Sequence, residues 1–411
     1  MIFNDWFYEL QSTRSGLTAG AGLTAFRALL GRLGNPHQQL QIIHVAGTNG
    51  KGTVCTLLAH TLTCAGYKTG LFISPHLISP VERIQLDGSS IDENDFIQIV
   101  QQVLEVEEEP LTLFEILTAA AFLYFAGKRA QYVVLETGIG GRKDPTNVCL
   151  PLLSIITSIG LDHTHLLGTA ISQIAYEKAG IIKSGVPVLC GALPAEAEQV
   201  ICEVARQQNA PLQFVRIGDP FNEMGIDMEH GWSEMSVTDG TKWNLHTLGR
   251  MQVQNACLVY QAAQRFKVPE NSLRYAFETV QIPGRFEIFR HGQKTIILDG
   301  AHNPQAIENL LLFWEKTPYA KKKPLVLCGF MRDKDYPQIL KMLSARFNRG
   351  VVTVPPNKRG ASLAQIQQFL PTGWEVEEDV NAAFLRAQVV ADVILCTGSF
   401  YVVGAIRSAL F

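Results

Sequence analysis

The sequence is short of several things that would place it elsewhere. Its eight cysteines (Cys55, Cys64, Cys149, Cys190, Cys202, Cys257, Cys328 and Cys396) are scattered, with no C-x-x-C pair. A disulfide framework or a zinc site needs clustered cysteines, so buried free thiols are expected instead. No apolar run approaches the ~20 residues that span a bilayer; the longest, Ala119 to Ala126, ends at Gly127-Lys128-Arg129. There is no excess of one charge, since 35 Lys+Arg face 38 Asp+Glu for a net −3, and hence no general pull on nucleic acid. Asp5 and Glu9 stand where a signal peptide would carry basic residues. Repeats, low-complexity tracts and apolar heptads are missing too. The expectation is a cytoplasmic monomer with neither nucleic acid nor membrane as partner.

What is present is a long, apolar chain. It has 411 residues, 47% of them hydrophobic, enough for two or three domains with real cores. Short apolar runs alternate with longer helical patterns. Gln41 to Val45, Tyr132 to Leu135, Leu153 to Ile156 and Val186 to Leu189 read as buried strands. Thr295 to Leu298, Leu325 to Leu327 and Val393 to Leu395 read the same way. Between them lie helix-like stretches, including Val54 to Ala65, Phe114 to Ala126, Ile171 to Ala179 and Ala195 to Gln208. Such alternation predicts parallel sheets with helices on both faces. The polar, glycine-bearing stretch from Phe214 to Leu248 predicts antiparallel strands attached to the first sheet. Two helices follow, Val253 to Phe266 and Glu270 to Thr279, before Pro283-Gly284 breaks the pattern. The expected organisation is α/β throughout. An N-terminal P-loop-type domain (1–283) has a parallel sheet and a small antiparallel part, and a C-terminal Rossmann-like domain (284–411) follows.

The sharpest local signal is His44-Val45-Ala46-Gly47-Thr48-Asn49-Gly50-Lys51-Gly52-Thr53, which leaves a strand and opens a helix. Glycines there let backbone N–H groups close around phosphate oxygens at the positive end of a helix. Lys51 can reach the outer phosphates and the Thr53 hydroxyl can bind Mg²⁺. Gly52 separates the lysine from Thr53, unlike the usual G-K-[ST], which argues against an ordinary kinase or GTPase.

This loop resembles that of the Mur ligase superfamily, specifically the folylpolyglutamate synthase and dihydrofolate synthase family. The resemblance continues in order through Ser74-Pro75-His76-Leu77, Thr112-Leu113-Phe114-Glu115, Glu136 to Arg142 and Asp144-Pro145-Thr146-Asn147. It runs on through Leu161-Asp162-His163, Glu177-Lys178-Ala179-Gly180-Ile181, Pro283-Gly284-Arg285-Phe286 and Asp299-Gly300-Ala301-His302-Asn303-Pro304. It ends with Asp333-Lys334-Asp335 and Thr397-Gly398-Ser399-Phe400. One such match would say little; so many in register are specific.

The resemblance implies roles for residues that spacing alone leaves open. Asn49, Gly50, Lys51, Gly52 and Thr53 would hold ATP, with Ser74 and Glu136 sharing a Mg²⁺ with its phosphates. Glu136 ends a strand, where ligand sites of parallel sheets lie, and Mg²⁺ wants such hard oxygen ligands. A second Mg²⁺ would use His163 and Lys178, the lysine carbamylated by CO₂ into a carboxylate-like donor. Asn255 would bind adenine, Arg285 would clamp phosphate bidentately, and Asp299 and His302 would meet the nucleotide. His302 and Ser399 would take glutamate, while Thr112, Lys143, Asp144 and Pro145 would contact folate. Gly16-Leu17-Thr18-Ala19-Gly20 aligns with the family's pterin loop. Lys51, Glu136, His163, Lys178 and Arg285 would be the catalytic set. The implied partners are ATP, folate and L-glutamate, with Mg²⁺ and room for K⁺ or another monovalent cation.

The activity implied is ATP-dependent addition of glutamate to folates, as in tetrahydrofolate polyglutamylation, through an acyl phosphate. A dihydrofolate synthase acting on dihydropteroate, or an enzyme with both activities, is the alternative. More remote is a non-catalytic nucleotide-binding regulator, which would have no need of the second metal set.

Overall fold

The computed structural model describes residues 3–14, 23–237 and 239–411. Its first sheet has eight strands: β1 (Ile42–Ala46), β2 (Thr69–Phe72), β3 (Ile84–Leu86), β4 (Ser89–Ser90), β5 (Tyr132–Glu136), β6 (Leu153–Ile156), β7 (Val188–Cys190) and β8 (Leu212–Phe214). Their order is β4-β3-β2-β5-β1-β6-β7-β8. All neighbours are parallel except the β2–β3–β4 edge. The central strands β1, β5 and β6 read as continuous apolar runs because both faces are covered. On one face lie the helices Glu93–Glu105 and Leu113–Gly127 with Phe3–Thr13. The Ala119 to Ala126 run sits within the second of these. It is apolar all round because it is buried all round.

The other face packs against Lys51–Cys64, Arg250–Arg265 and Glu270–Thr279. Here the antiparallel strands expected between Phe214 and Leu248 are found, and their mode of attachment is specific. The strands β9 (Asn222–Asp227), β10 (Trp232–Ser236) and β11 (Lys242–Leu245) form a three-stranded antiparallel sheet of their own. Among the described residues they meet the first sheet by packing and share no ladder with it. Met235, Trp243 and Leu245 enter its core through the Arg250–Arg265 helix, not through hydrogen bonds to β8.

The second sheet holds β12 (Glu287–His291), β13 (Lys294–Leu298), β14 (Leu325–Cys328), β15 (Gly350–Val352), β16 (Glu375–Val376) and β17 (Val393–Thr397). Its order is β12-β13-β17-β14-β15-β16, parallel except for the β12 edge. Gly284, at φ 69°, turns the chain into it. The two sheets present their strand C-termini to one another, and side chains cross between them. Leu77, in the loop after β2, meets the Phe400–Ala409 helix at Gly404; a Cβ there would lie 1.9 Å from the Leu77 carbonyl oxygen. Glu223 of β9 accepts from Arg250 and from Lys316, at 3.1 and 3.3 Å.

Candidate active site

The loop after β1 enters the Lys51–Cys64 helix through Gly50, which caps it at φ 88°. A side chain at Gly50 would stand 2.7 Å from Asn255 Oδ1, so Asn255 is packed directly against the loop. At Gly47 a Cβ would meet Thr157 Oγ1 at 1.9 Å. Gly52 is different: its Cβ would stand 3.7 Å from the Glu136 carboxylate, in ordinary contact. The glycine that departs from the usual pattern therefore keeps open the space between the loop and Glu136. Thr53 is buried in the first turn.

Glu136 ends β5, fully enclosed, and its Oε2 accepts the Ser74 N–H at 2.9 Å. Burial raises its pKa, against the opposing influence of Lys51, the Ser74 N–H and Arg285. Ser74, Lys51, Glu136 and Arg285 thus share one neighbourhood. Lys51 Nζ donates to the Gly47 carbonyl at 3.0 Å and Lys178 Nζ to the same oxygen at 2.7 Å. Lys178 is only 4% exposed, enclosed beneath the loop. Burial, and then the charge of Lys51, bring its pKa down to about 7.

His163 starts a short helix in a left-handed conformation, φ 48°, its N–H held by Asp162 Oδ1 at 2.8 Å. Burial and then Lys334 lower its pKa to about 4. Around it the two halves of the chain interlock. Lys334 Nζ donates to Asp162 Oδ1 at 2.6 Å, and Asn303 Nδ2 donates to Asp162 Oδ2 at 3.1 Å. Asn303 also exchanges hydrogen bonds with Asn49 at 3.0 and 3.3 Å, and Asn49 reaches Gln305 at 2.9 Å. Burial would raise the pKa of Asp162, yet Lys334, His163 and His302 outweigh it and hold the carboxyl below its ordinary value.

On the second sheet, Arg285 lies over the Phe400 ring at 4.7 Å. Burial lowers its pKa, with Asp299 and Glu136 opposing. Asp299 follows β13 and accepts the Phe286 and Ala301 N–H groups at 3.0 and 2.9 Å. His302 Nδ1 donates to Gly300 O at 2.8 Å, and its Nε2 lies 4.0 Å from Asp162 Oδ2. Ser399 caps the Phe400–Ala409 helix, its Oγ accepting from Tyr401 N at 3.1 Å.

The four folate-assigned positions divide. Thr112 is the N-cap of Leu113–Gly127, in a capping box with Glu115. The Asp144 carboxylate is buried and accepts from the N–H groups of Gly138, Ile139 and Thr146 and from the Thr146 hydroxyl. It shapes the turn beyond Glu136. Pro145 is buried and Lys143 is exposed. The Gly16 to Gly20 segment falls outside the described residues.

Sequence reasoning missed Asp162, Asn303, Gln305 and Lys334 as site residues. The available signal was position: Asp162 follows β6, Asn303 follows β13 and Lys334 follows β14, each at the C-terminal edge of a parallel strand.

Comparison with known proteins fits this geometry. The Mur ligase middle domain matches residues 45–263, and the Mur ligase glutamate ligase domain matches residues 284–400. The dihydrofolate synthase/folylpolyglutamate synthase of Bacillus subtilis (strain 168) is 34% identical, covering 95% of each chain. The structure of Mycobacterium tuberculosis folylpolyglutamate synthase complexed with ADP and AMPPCP superposes with a TM-score of 0.88 at 28% identity, covering 99% of this chain and 98% of that one. The bifunctional folylpolyglutamate synthase/dihydrofolate synthase of Yersinia pestis, complexed with AMPPNP and a Mn ion, gives 0.85 at 28% identity over 99% and 98%. The chain belongs to the dihydrofolate synthase/folylpolyglutamate synthase family of the Mur ligases.

Proposed function

We propose that this chain is an ATP-dependent ligase that joins L-glutamate to a folate carboxylate through an acyl phosphate, as in the polyglutamylation of tetrahydrofolate. The observation that carries the reading is the meeting of Lys51, Glu136 and Lys178 at a phosphate-type loop, faced by Arg285 from the other sheet. A carboxylate is a poor electrophile at neutral pH, and phosphoryl transfer from ATP makes it a reactive mixed anhydride. The α-amine of glutamate then attacks, and ADP and phosphate leave. Catalysis of this kind is positioning and charge neutralisation.

The donor set suits a divalent cation. Thr53, Ser74 and Glu136 offer hard oxygens beside the loop, and Gly52 leaves their common space clear. Bound Mg²⁺ would neutralise phosphate charge there. A second Mg²⁺ would use His163 and Lys178. The Lys178 amine, with its pKa near 7, is substantially neutral at physiological pH, the form that takes up CO₂. K⁺ or another monovalent cation remains part of the proposal.

In this reading Asn49, Gly50, Lys51, Gly52 and Thr53 cradle the phosphates, with Lys51 leaving Gly47 to do so. Asn255 takes the adenine, Asp299 the ribose and Arg285 the phosphates. His302 and Ser399 receive glutamate. Thr112, Lys143, Asp144 and Pro145 border the folate, Asp144 by holding the Gly138–Ile139 turn. Residues 1–283 and 284–411 act as two domains that close over the acyl phosphate, hinging near Pro283, because the anhydride would hydrolyse if wet. The protein works as a monomer in the cytoplasm. A second reading is supported by the relatives whose names carry both activities: dihydropteroate serves as an acceptor as well. Mass spectrometry of a reduced folate after incubation with MgATP and glutamate should show one added glutamyl residue. An unchanged folate would reject the proposal.

A further inference from the structure

The loop after β14 carries Lys334 across to the loop after β6. Its Nζ lies 2.6 Å from Asp162 Oδ1 and 3.1 Å from His163 Nε2. The lysine and aspartate side chains are only 7% and 10% exposed. An ammonium has hydrogens to give and no lone pair, so His163 Nε2 is the acceptor. The ring proton therefore sits on Nδ1, which faces Asp333 Oδ2 at 3.5 Å. The Nε2 lone pair, the one a metal would use, is already taken by a cation belonging to the protein.

We propose that Lys334 is an internal stand-in for the second cation: its ammonium occupies His163 and balances Asp162, and must leave His163 before a metal binds there. The inference rests on the assignment of His163 as a metal ligand. Ammonium and metal cannot share one lone pair, so the two states exclude each other. The stand-in also spans the sheets. While Lys334 sits on His163, Asp162 holds Lys334 and Asn303 together, and Asn303 holds Asn49 of the phosphate loop. Metal entry at His163 therefore loosens one of the ties between the two halves of the molecule, and nucleotide at Asn49 bears on another. The displaced ammonium keeps its bond to Asp162 and turns its remaining hydrogens to the cleft between the sheets.

The test is Mn²⁺ binding to the full chain in bicarbonate buffer without nucleotide, read by electron paramagnetic resonance. Lys334→Met should bind Mn²⁺ at least about tenfold more tightly than the wild type. Adding His163→Ala should remove that gain. Adding Asp162→Asn should preserve it, because the freed Nε2 and not a bare carboxylate is its source. An unchanged or weaker affinity in Lys334→Met would overturn the proposal. So would a gain that survives His163→Ala or vanishes with Asp162→Asn. A measurement on the unmutated chain guards against a misfolded variant: saturating Mg²⁺ with a non-hydrolysable ATP analogue should shift the His163 Nε2 nitrogen resonance. Metal binding that leaves this resonance in place would also overturn the idea. Both readouts need only metal and nucleotide, so absence of ligase turnover would reject the proposed function and leave this inference standing.

Discussion

Lys51 and Lys178 donate to one and the same oxygen, the Gly47 carbonyl, at 3.0 and 2.7 Å. Two amines at one acceptor cannot both carry a full charge cheaply, least of all in a buried pocket. That crowding adds to the burial that makes Lys178 the neutral partner. It gives a physical reason for the lysine to be modifiable at all.

Two consequences can be measured on Lys178. Lys178→Ala should lose nearly all turnover and regain part of it with added formate or acetate, which replace the carbamate oxygens. Complete indifference to added carboxylate would count against carbamylation. Its pKa falls from 10.5 to about 7 on folding, so between those values the unfolded chain holds the extra proton and stability rises with pH. Below about 7 the folded state bears the full cost of charging the amine. In CO₂-free buffer, Lys178→Met should therefore be most favoured over wild type at pH 7 and below, the difference shrinking towards pH 10. A difference independent of pH would contradict the assignment.

Glu136→Gln should reduce phosphate release at least about a hundredfold, as loss of a charge-positioning group does, while raising the thermal midpoint. The carboxylate is desolvated, so its folded pKa stands above the ordinary 4.5. Stability is then lost as pH rises from 4.5 through the raised value. Calorimetry at pH 7 and pH 4 checks this: the advantage of glutamine should be present at 7 and diminished at 4. A destabilised variant at neutral pH would mean that the hydrogen bond from Ser74 outweighs the desolvation.

The two glycines flanking Lys51 should behave differently. Gly50→Ala combines a left-handed φ of 88° with a contact of 2.7 Å to Asn255, and nucleotide binding should fail. Gly52→Ala meets Glu136 only at 3.7 Å, so the protein should fold normally and bind nucleotide, with its defect confined to the metal-dependent step. Equilibrium binding of a fluorescent ATP analogue separates them; equal losses would show that Gly52 is a backbone requirement instead.

Gly404→Ala should push the Phe400–Ala409 helix off the loop that carries Ser74. Its Cβ would overlap the Leu77 carbonyl, a backbone atom that cannot rotate away. A cost of about 1–3 kcal/mol is expected, together with a larger radius of gyration by X-ray scattering. An unchanged radius with normal turnover would mean that this contact does not set domain closure.

Most of the frame was legible in the amino-acid order. The strands at Tyr132, Leu153, Leu325 and Val393 are continuous apolar runs, and the helices Ile171–Ala179 and Glu270–Thr279 have the expected limits. The edges were not. Ser89–Ser90 and Glu375–Val376 are two residues long, the first pair exposed and the second largely so, and no periodicity marks them. The start of Lys51–Cys64 lay three residues earlier than its apolar pattern, because a glycine cap and not a side chain begins it. At the site, motif order pointed to Lys51, Glu136 and Lys178. Asp162, Asn303 and Lys334 gain their meaning only from contacts more than 140 residues apart, a relation that local spacing does not contain.

Phosphate release from MgATP with L-glutamate, comparing a reduced folate monoglutamate with dihydropteroate as acceptor, is the direct test of folate ligation. Glutamate-dependent release is expected with the reduced folate, and with dihydropteroate as well if the enzyme carries both activities. No release with either acceptor, from protein that still binds ATP, would contradict folate ligation.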